Sequence, residues 1–156
     1  MHWLILLWNV SQVEEFLAAG GVKAVFCGHK PCGDSPFVVR GAKAWKKHLI
    51  ALRSFVQVSF VHCDTTYSDS SAADRRGSAV AAVEMGQELQ EVRLRGVLAD
   101  GRAYDFGLDD PFVGRQTQKG RWVKARLDNY RVVSGDGARS LSYAELSQEE
   151  LTREFT

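Results

Sequence analysis

Apolar residues recur along this chain at two spacings, helical near the start and alternating over most of the rest. Val13, Phe16 and Leu17 share one face of a turn-and-a-half, behind a Ser11-x-x-Glu14 box that suits a helix N-terminus. Gly20-Gly21 follows, and glycine enters the left-handed stop at little cost. The pattern predicts a helix over 11–19. Val22 to Cys27 is a compact β-prone run and predicts a strand, followed by a loop rich in glycine and proline from Gly28 to Pro36. A short strand over Phe37–Arg40 and a short helix over Ala42–Ala51, with Trp45, His48 and Leu49 on one face, come next. Phe55 to Val61 reads as a strand running into His62-Cys63-Asp64, and 65–77 as a polar loop.

Downstream the pattern is mostly β. Ser78 to Val83 predicts one strand. Val92–Ala99 and Arg102–Phe106 flank Asp100-Gly101, a strong hairpin signal, and Trp122–Leu127 and Tyr130–Ser134 flank Asp128-Asn129. Ser142 to Phe155 is polar and helix-prone, with a second box at Ser147 to Glu150. A helix–strand unit followed by a run of strands predicts α+β, or the sheet-rich half of an α/β sandwich. The expected division is a body over 1–135 and a polar tail over 136–156.

Composition narrows the function classes. With 20 Lys+Arg against 19 Asp+Glu, the net charge of +1 provides no general attraction to nucleic acid or to an anionic membrane. Neither is expected as a partner. Cys27, Cys32 and Cys63 are an odd number at no framework spacing, so thiols and a reducing, cytoplasmic setting are expected. The apolar run Trp3–Trp8 is far short of the roughly 20 residues that span a bilayer. It has neither the basic segment before it nor the small-residue site after it that a secretory signal needs. It reads as a buried segment of a larger fold, and an apolar face there predicts poor solution behaviour in isolation.

The densest chemistry lies in Cys27-Gly28-His29-Lys30-Pro31-Cys32-Gly33-Asp34-Ser35-Pro36. A strand delivers an imidazole into a tight loop, glycine lets the backbone turn, and prolines fix the loop's shape. This is a way to hold a metal-ligating histidine at the carboxyl end of a strand.

Gly-His-Lys-Pro-x-Gly-Asp-Ser-Pro resembles the last metal-binding block of calcineurin-like metallophosphoesterases, in the subgroup reading Gly-His-x-Pro-x-Gly-Asp. Asp64-Thr65-Thr66-Tyr67-Ser68 is similar to that subgroup's next conserved stretch. Asp74-Arg75-Arg76-Gly77, the strand over 78–83, Gly96 to Gly101 with Tyr104-Asp105, and Trp122 to Arg126 continue the likeness over about residues 22–135. The resemblance implies the C-terminal, β-rich half of that two-sheet fold and hydrolysis of a phosphorylated substrate. It implies two divalent cations (Mn, Fe or Zn) that polarise the phosphoryl oxygens and generate a hydroxide nucleophile. His29 would be a metal ligand, and Gly28, Pro31, Asp34 and Asp64 would shape the loop or accept hydrogen bonds behind it.

The family's earlier blocks, Asp-x-His, Gly-Asp-x-x-Asp and Gly-Asn-His-Asp/Glu, do not occur in this sequence. A second chain or an upstream segment is therefore expected to complete the site, and the chain is expected to be inactive alone. A non-catalytic remnant serving as a protein interaction module is the alternative. Three other readings stand beside these. Cys27, His29 and Cys32, with His62 and Cys63, offer ligands for a structural zinc. Cys63 between His62 and Asp64 offers a thiol nucleophile. Arg75-Arg76 offers a bidentate grip on phosphate.

Overall fold

The computed structural model describes residues 10–29, 33–40, 58–66, 71, 79–87, 91–128, 130–134 and 143–155. The run Trp3–Trp8, the helix expected over 42–51, Pro31, Cys32, Arg75 and Arg76 lie outside the described residues. Among the described residues the order is α1 (Val10–Ala19), β1 (Ala24–Cys27), β2 (Phe37–Arg40), β3 (Ser59–His62), β4 (Val80–Glu84), β5 (Arg93–Val97), β6 (Ala103–Gly107), β7 (Trp122–Leu127), β8 (Tyr130–Ser134), β9 (Tyr143–Ser147) and α2 (Gln148–Phe155). The fold is mixed α+β and mostly strand. The strands form three sheets, ordered β1-β3-β2, β4-β5-β6 and β7-β8-β9.

The first unit stops where glycine allows it. Val22 N–H reaches Leu17 O at 2.9 Å and Gly21 N–H reaches Ala18 O at 3.0 Å, with Gly21 at φ 75°. Those two bonds are a Schellman stop, which satisfies carbonyls at the end of α1. The start differs from the sequence expectation. The helix begins at Val10, so Ser11 is inside it, and Glu14 Oε1 accepts the Val58 N–H at 3.3 Å. Glu14 thus serves a tertiary donor ahead of β3. Burial pushes the Glu14 carboxyl above its ordinary range, with the Val58 bond opposing the shift.

β1 runs parallel to β3, from Ala24↔Ser59 to Cys27↔His62, and β2 runs antiparallel on the other side of β3. The carboxyl ends of β1 and β3 therefore lie side by side. The β5–β6 hairpin closes as expected: Gly101 N–H bonds Leu98 O at 2.9 Å, Leu98 N–H bonds Arg102 O at 2.8 Å, and Gly101 adopts φ 89°. β7 and β8 meet at Asp128 (φ 48°), with Leu127 opposite Tyr130.

The segment read as a helix-prone tail is strand and then helix. β9 pairs with β8 from Tyr130↔Ser147 to Ser134↔Tyr143, so 143–147 belongs to the same sheet as β7. The open edge of β8 outweighs a weak local preference. The second box does form, one element later than the start of the run. Ser147 N–H bonds Glu150 Oε2 at 2.8 Å and Glu150 N–H bonds Ser147 Oγ at 3.3 Å, which starts α2. Leu151 then buries its side chain completely.

One apolar cluster serves all three sheets: Val38 and Val61 from the first, Leu94, Tyr104 and Phe106 from the second, Val123, Ala125 and Leu127 from the third, with Leu151 of α2. A hairpin not anticipated from sequence leads into β7. Thr117 N–H bonds Arg121 O at 2.7 Å and Gly120 N–H bonds Thr117 O at 2.9 Å, with Gly120 at φ 79°. The segments flanking it tie the first sheet to the third, since Arg40 N–H reaches Gly114 O at 3.1 Å and Trp122 Nε1 donates to Val38 O at 3.1 Å.

Candidate functional site

The loop after β1 holds the site. β1 ends at Cys27, and the chain turns at Gly28 and then at His29, which takes a left-handed φ of 83°. A non-glycine residue gives up about 1–2 kcal/mol in that conformation, so the surrounding structure must hold it there. The His29 side chain is exposed. Asp64 follows β3 and is half-buried. A β-carbon placed on Gly28 would lie 3.1 Å from Asp64 Oδ1. The Asp64 carboxylate thus packs against the peptide immediately before His29, at the carboxyl ends of two parallel strands. Open sheets of this kind place ligands there.

Asp34, five residues after His29, turns the opposite way. It is buried, its Oδ2 accepts the Ala99 N–H at 3.0 Å, and its Oδ1 lies 3.9 Å from Lys124 Nζ. The bond to Ala99 fastens the loop to the turn of the β5–β6 hairpin. Tyr104 lies in the same environment. Burial pushes its phenol above the ordinary range and the Asp34 charge adds to the shift, while the hydroxyl donates to Val80 O at 3.0 Å. Ser35 Oγ and Asp34 Oδ1 are buried and make no hydrogen bond among the described residues, and neither does His62 Nδ1 at the end of β3.

Gly28 and Asp64 are thus packed together next to His29 in the chain, and Asp34 is buried in the interior. His29 and Asp64 are donors of the right chemistry for a divalent cation. They do not complete a site. No three His, Cys, Asp or Glu residues come together in a way that would hold a metal ion among the described residues. Among the described residues Cys27, His29, His62 and Cys63 form no such group either, and Cys32, the remaining ligand of the zinc reading, lies outside them.

The surroundings of Cys63 weigh against the thiol-nucleophile reading. Burial pushes the Cys63 thiol up, and the nearby Cys27 and Asp64 push it further, whereas a nucleophilic cysteine needs a lowered value. Cys27 and Cys63 both direct sulfur at Val61 O, at 3.6 and 3.8 Å. Cys63 packs against the apolar cluster.

Lys124 is the residue that sequence reasoning passed over as a functional candidate. The signal was faint. A lysine in an apolar strand ordinarily belongs on the solvent face, and Trp122-Val123-Lys124-Ala125 gives no hint that the alternation breaks. A groove of about 380 Å³ beside α2 is lined by Lys119, Arg121, Glu150 and Glu154 and shares no residue with the His29 loop. Its cations Lys119 and Arg121 already pair with Glu154.

No family model, no curated protein and no solved structure matches this chain. No helix among the described residues is long and apolar enough to cross a membrane.

Proposed function

We propose that this chain carries part of a metal-dependent phosphoesterase site, in the C-terminal half of a calcineurin-like fold. The observation that supports the reading most is the packing of Asp64 against Gly28, beside His29. Two sequence stretches that resemble separate blocks of that family, 35 positions apart, converge at the carboxyl ends of β1 and β3. His29 is the residue that reaches solvent and would take the metal. Asp64 would sit beside it, and Asp34 would anchor the loop. A divalent cation there would supply Lewis-acid activation of a phosphoryl oxygen.

Two donors are too few for a dimetal centre, so the remaining ligands are expected from a second chain or another segment. The same shortage favours the second reading, a remnant kept as an interaction module.

Purified chain with Mn²⁺ alone should leave p-nitrophenyl phosphate intact, and hydrolysis should appear when a partner supplying acidic ligands is added. His29→Ala should abolish it. Hydrolysis that persists unchanged in His29→Ala would remove His29 from the site and end the phosphoesterase reading.

A further inference from the structure

Lys124 has an environment that a surface strand does not explain. Its side chain is 1% exposed, and it is among the largest fully buried side chains of the protein. Lysine is almost never buried to that degree without a partner. The backbone shows how it gets there. In the β7–β8 ladder Val123 faces Val133 and Ala125 faces Val132, so Lys124 is the extra residue of a β-bulge. Regular alternation would put Val123 and Ala125 on one face and Lys124 on the other. The bulge breaks that rule, and all three are buried. Bulges re-aim side chains in this way, and they are over-represented next to functional sites.

The re-aimed ammonium meets Asp34, whose side chain is 2% exposed. Asp34 in turn holds the Ala99 amide of the β5–β6 turn. A chain of contacts therefore runs from the bulge in the third sheet, through the loop after β1, to a hairpin of the second sheet. From this we infer that Lys124 is a positioning residue: it neutralises Asp34 inside the fold and so fixes the loop that presents His29. The inference rests on the reading of that loop as a metal-ligand loop. It adds a residue that the sequence did not single out.

The geometry distinguishes a latch from ordinary packing. A packing role would make Lys124 matter to the whole cluster equally. A latch makes it matter first to the Asp34–Ala99 contact, because removing the partner of a buried charge leaves that charge uncompensated where it sits.

Amide hydrogen exchange followed by NMR on the full chain separates the two. In Lys124→Met the Ala99 amide should exchange about a hundredfold faster, while Leu94 and Phe106 amides in the middle of the second sheet change by less than about threefold. Lys124→Arg, which keeps the charge, should restore protection at Ala99. Should Lys124→Met fail to fold, Lys124→Gln carries the same test, with about a tenfold effect expected. Equal acceleration at Ala99, Leu94 and Phe106, or no change at Ala99, would overturn the proposal.

Mn²⁺ titration of the same samples, read as paramagnetic broadening of the His29 ring, keeps the two readings apart. The positioning role predicts a midpoint shifted to about tenfold higher Mn²⁺ in Lys124→Met and recovered in Lys124→Arg. No broadening at His29 in the unsubstituted chain, even with a partner supplying acidic ligands present, would end the phosphoesterase reading. In that case the exchange result alone decides whether Lys124 latches the loop.

Discussion

The second sheet and the first are built from strands of similar length, and both send apolar residues into the shared cluster. Yet the loop after β1 is held by a different kind of residue from the β5–β6 hairpin. In β5 and β6 the inward positions are Leu94, Tyr104 and Phe106, all buried. The outward ones are Arg93, Arg95 and Asp105, joined to one another and to Glu84 of β4. Apolar residues do the holding and charges stay in water. In the first sheet β1 is half-buried at every position, and the groups that hold its loop are polar and interior: Asp34, bonded to the Ala99 amide, and the incoming Lys124. The contrast separates two tasks. A regular hairpin needs only a side that excludes water. A loop that must hold one histidine in a left-handed conformation needs directional bonds, and those bonds bring buried polar atoms with them.

The sharpest way to break that contrast is to hollow out the regular half. Phe106 is almost wholly buried, and its ring packs on Tyr104 at 5.9 Å. Phe106→Ala should cost about 3–5 kcal/mol, the usual range for removing a buried aromatic. Chemical denaturation should report that loss as one cooperative transition if the three sheets share one core. Two separated transitions would show that the first sheet stands on its own polar contacts.

A smaller effect tests how the late strand and helix are held. Ser147→Ala removes the acceptor for the Glu150 amide and should cost about 1 kcal/mol, as lost helix caps do. The pH dependence has a definite sign. The Ser147 backbone and side-chain bonds hold the Glu150 carboxyl below its ordinary value of 4.5. A depressed carboxyl contributes stability above its unfolded pKa and loses it as the pH falls through the folded one. Alanine keeps the backbone bond, so only the side-chain share of the Ser147→Ala cost should follow Glu150. That share is present at neutral pH and fades as the carboxyl protonates, while the share from the Glu150 amide stays. Thermal melts of both chains across that range measure it.

The same division of tasks explains what could be read in advance. Hairpins at Asp100-Gly101 and Asp128-Asn129 were legible because turn chemistry and alternation are local. The helix stop at Gly20-Gly21 was legible for the same reason. The bulge at Lys124 was not, since it is set by a partner strand and a carboxylate some 90 positions away in the chain. Glu14 was assigned to a local box because its true partner, the Val58 amide, is 44 positions distant. β9 was hidden because Tyr143–Ser147 becomes a strand only when β8 offers its edge. The loop itself showed in the sequence as glycine, proline and histidine in close succession. The sequence did not show which of its carboxylates would turn inward: Asp34 is buried, while Asp64 stays beside His29.

Asp105 makes the finest version of the comparison, because it is the same residue type as Asp34 in the other setting. Its Oδ1 is 2.5 Å from Arg93 Nη2 and its Oδ2 is 3.1 Å from Arg95 Nε, with all three side chains a little under half exposed. Close contacts suggest strength, but each group remains hydrated, and ordering three long side chains opposes the Coulomb gain. Asp105→Asn should therefore cost only about 0.2–1 kcal/mol. The cost should also fall with salt, because screening shortens from about 10 Å at 0.1 M to about 3 Å at 1 M. Denaturant midpoints of the two chains should converge as salt is raised. A gap that ignores salt would mean that Asp105 acts through packing or hydrogen bonding. The outward face of the second sheet would then share the directional bonding that distinguishes the first.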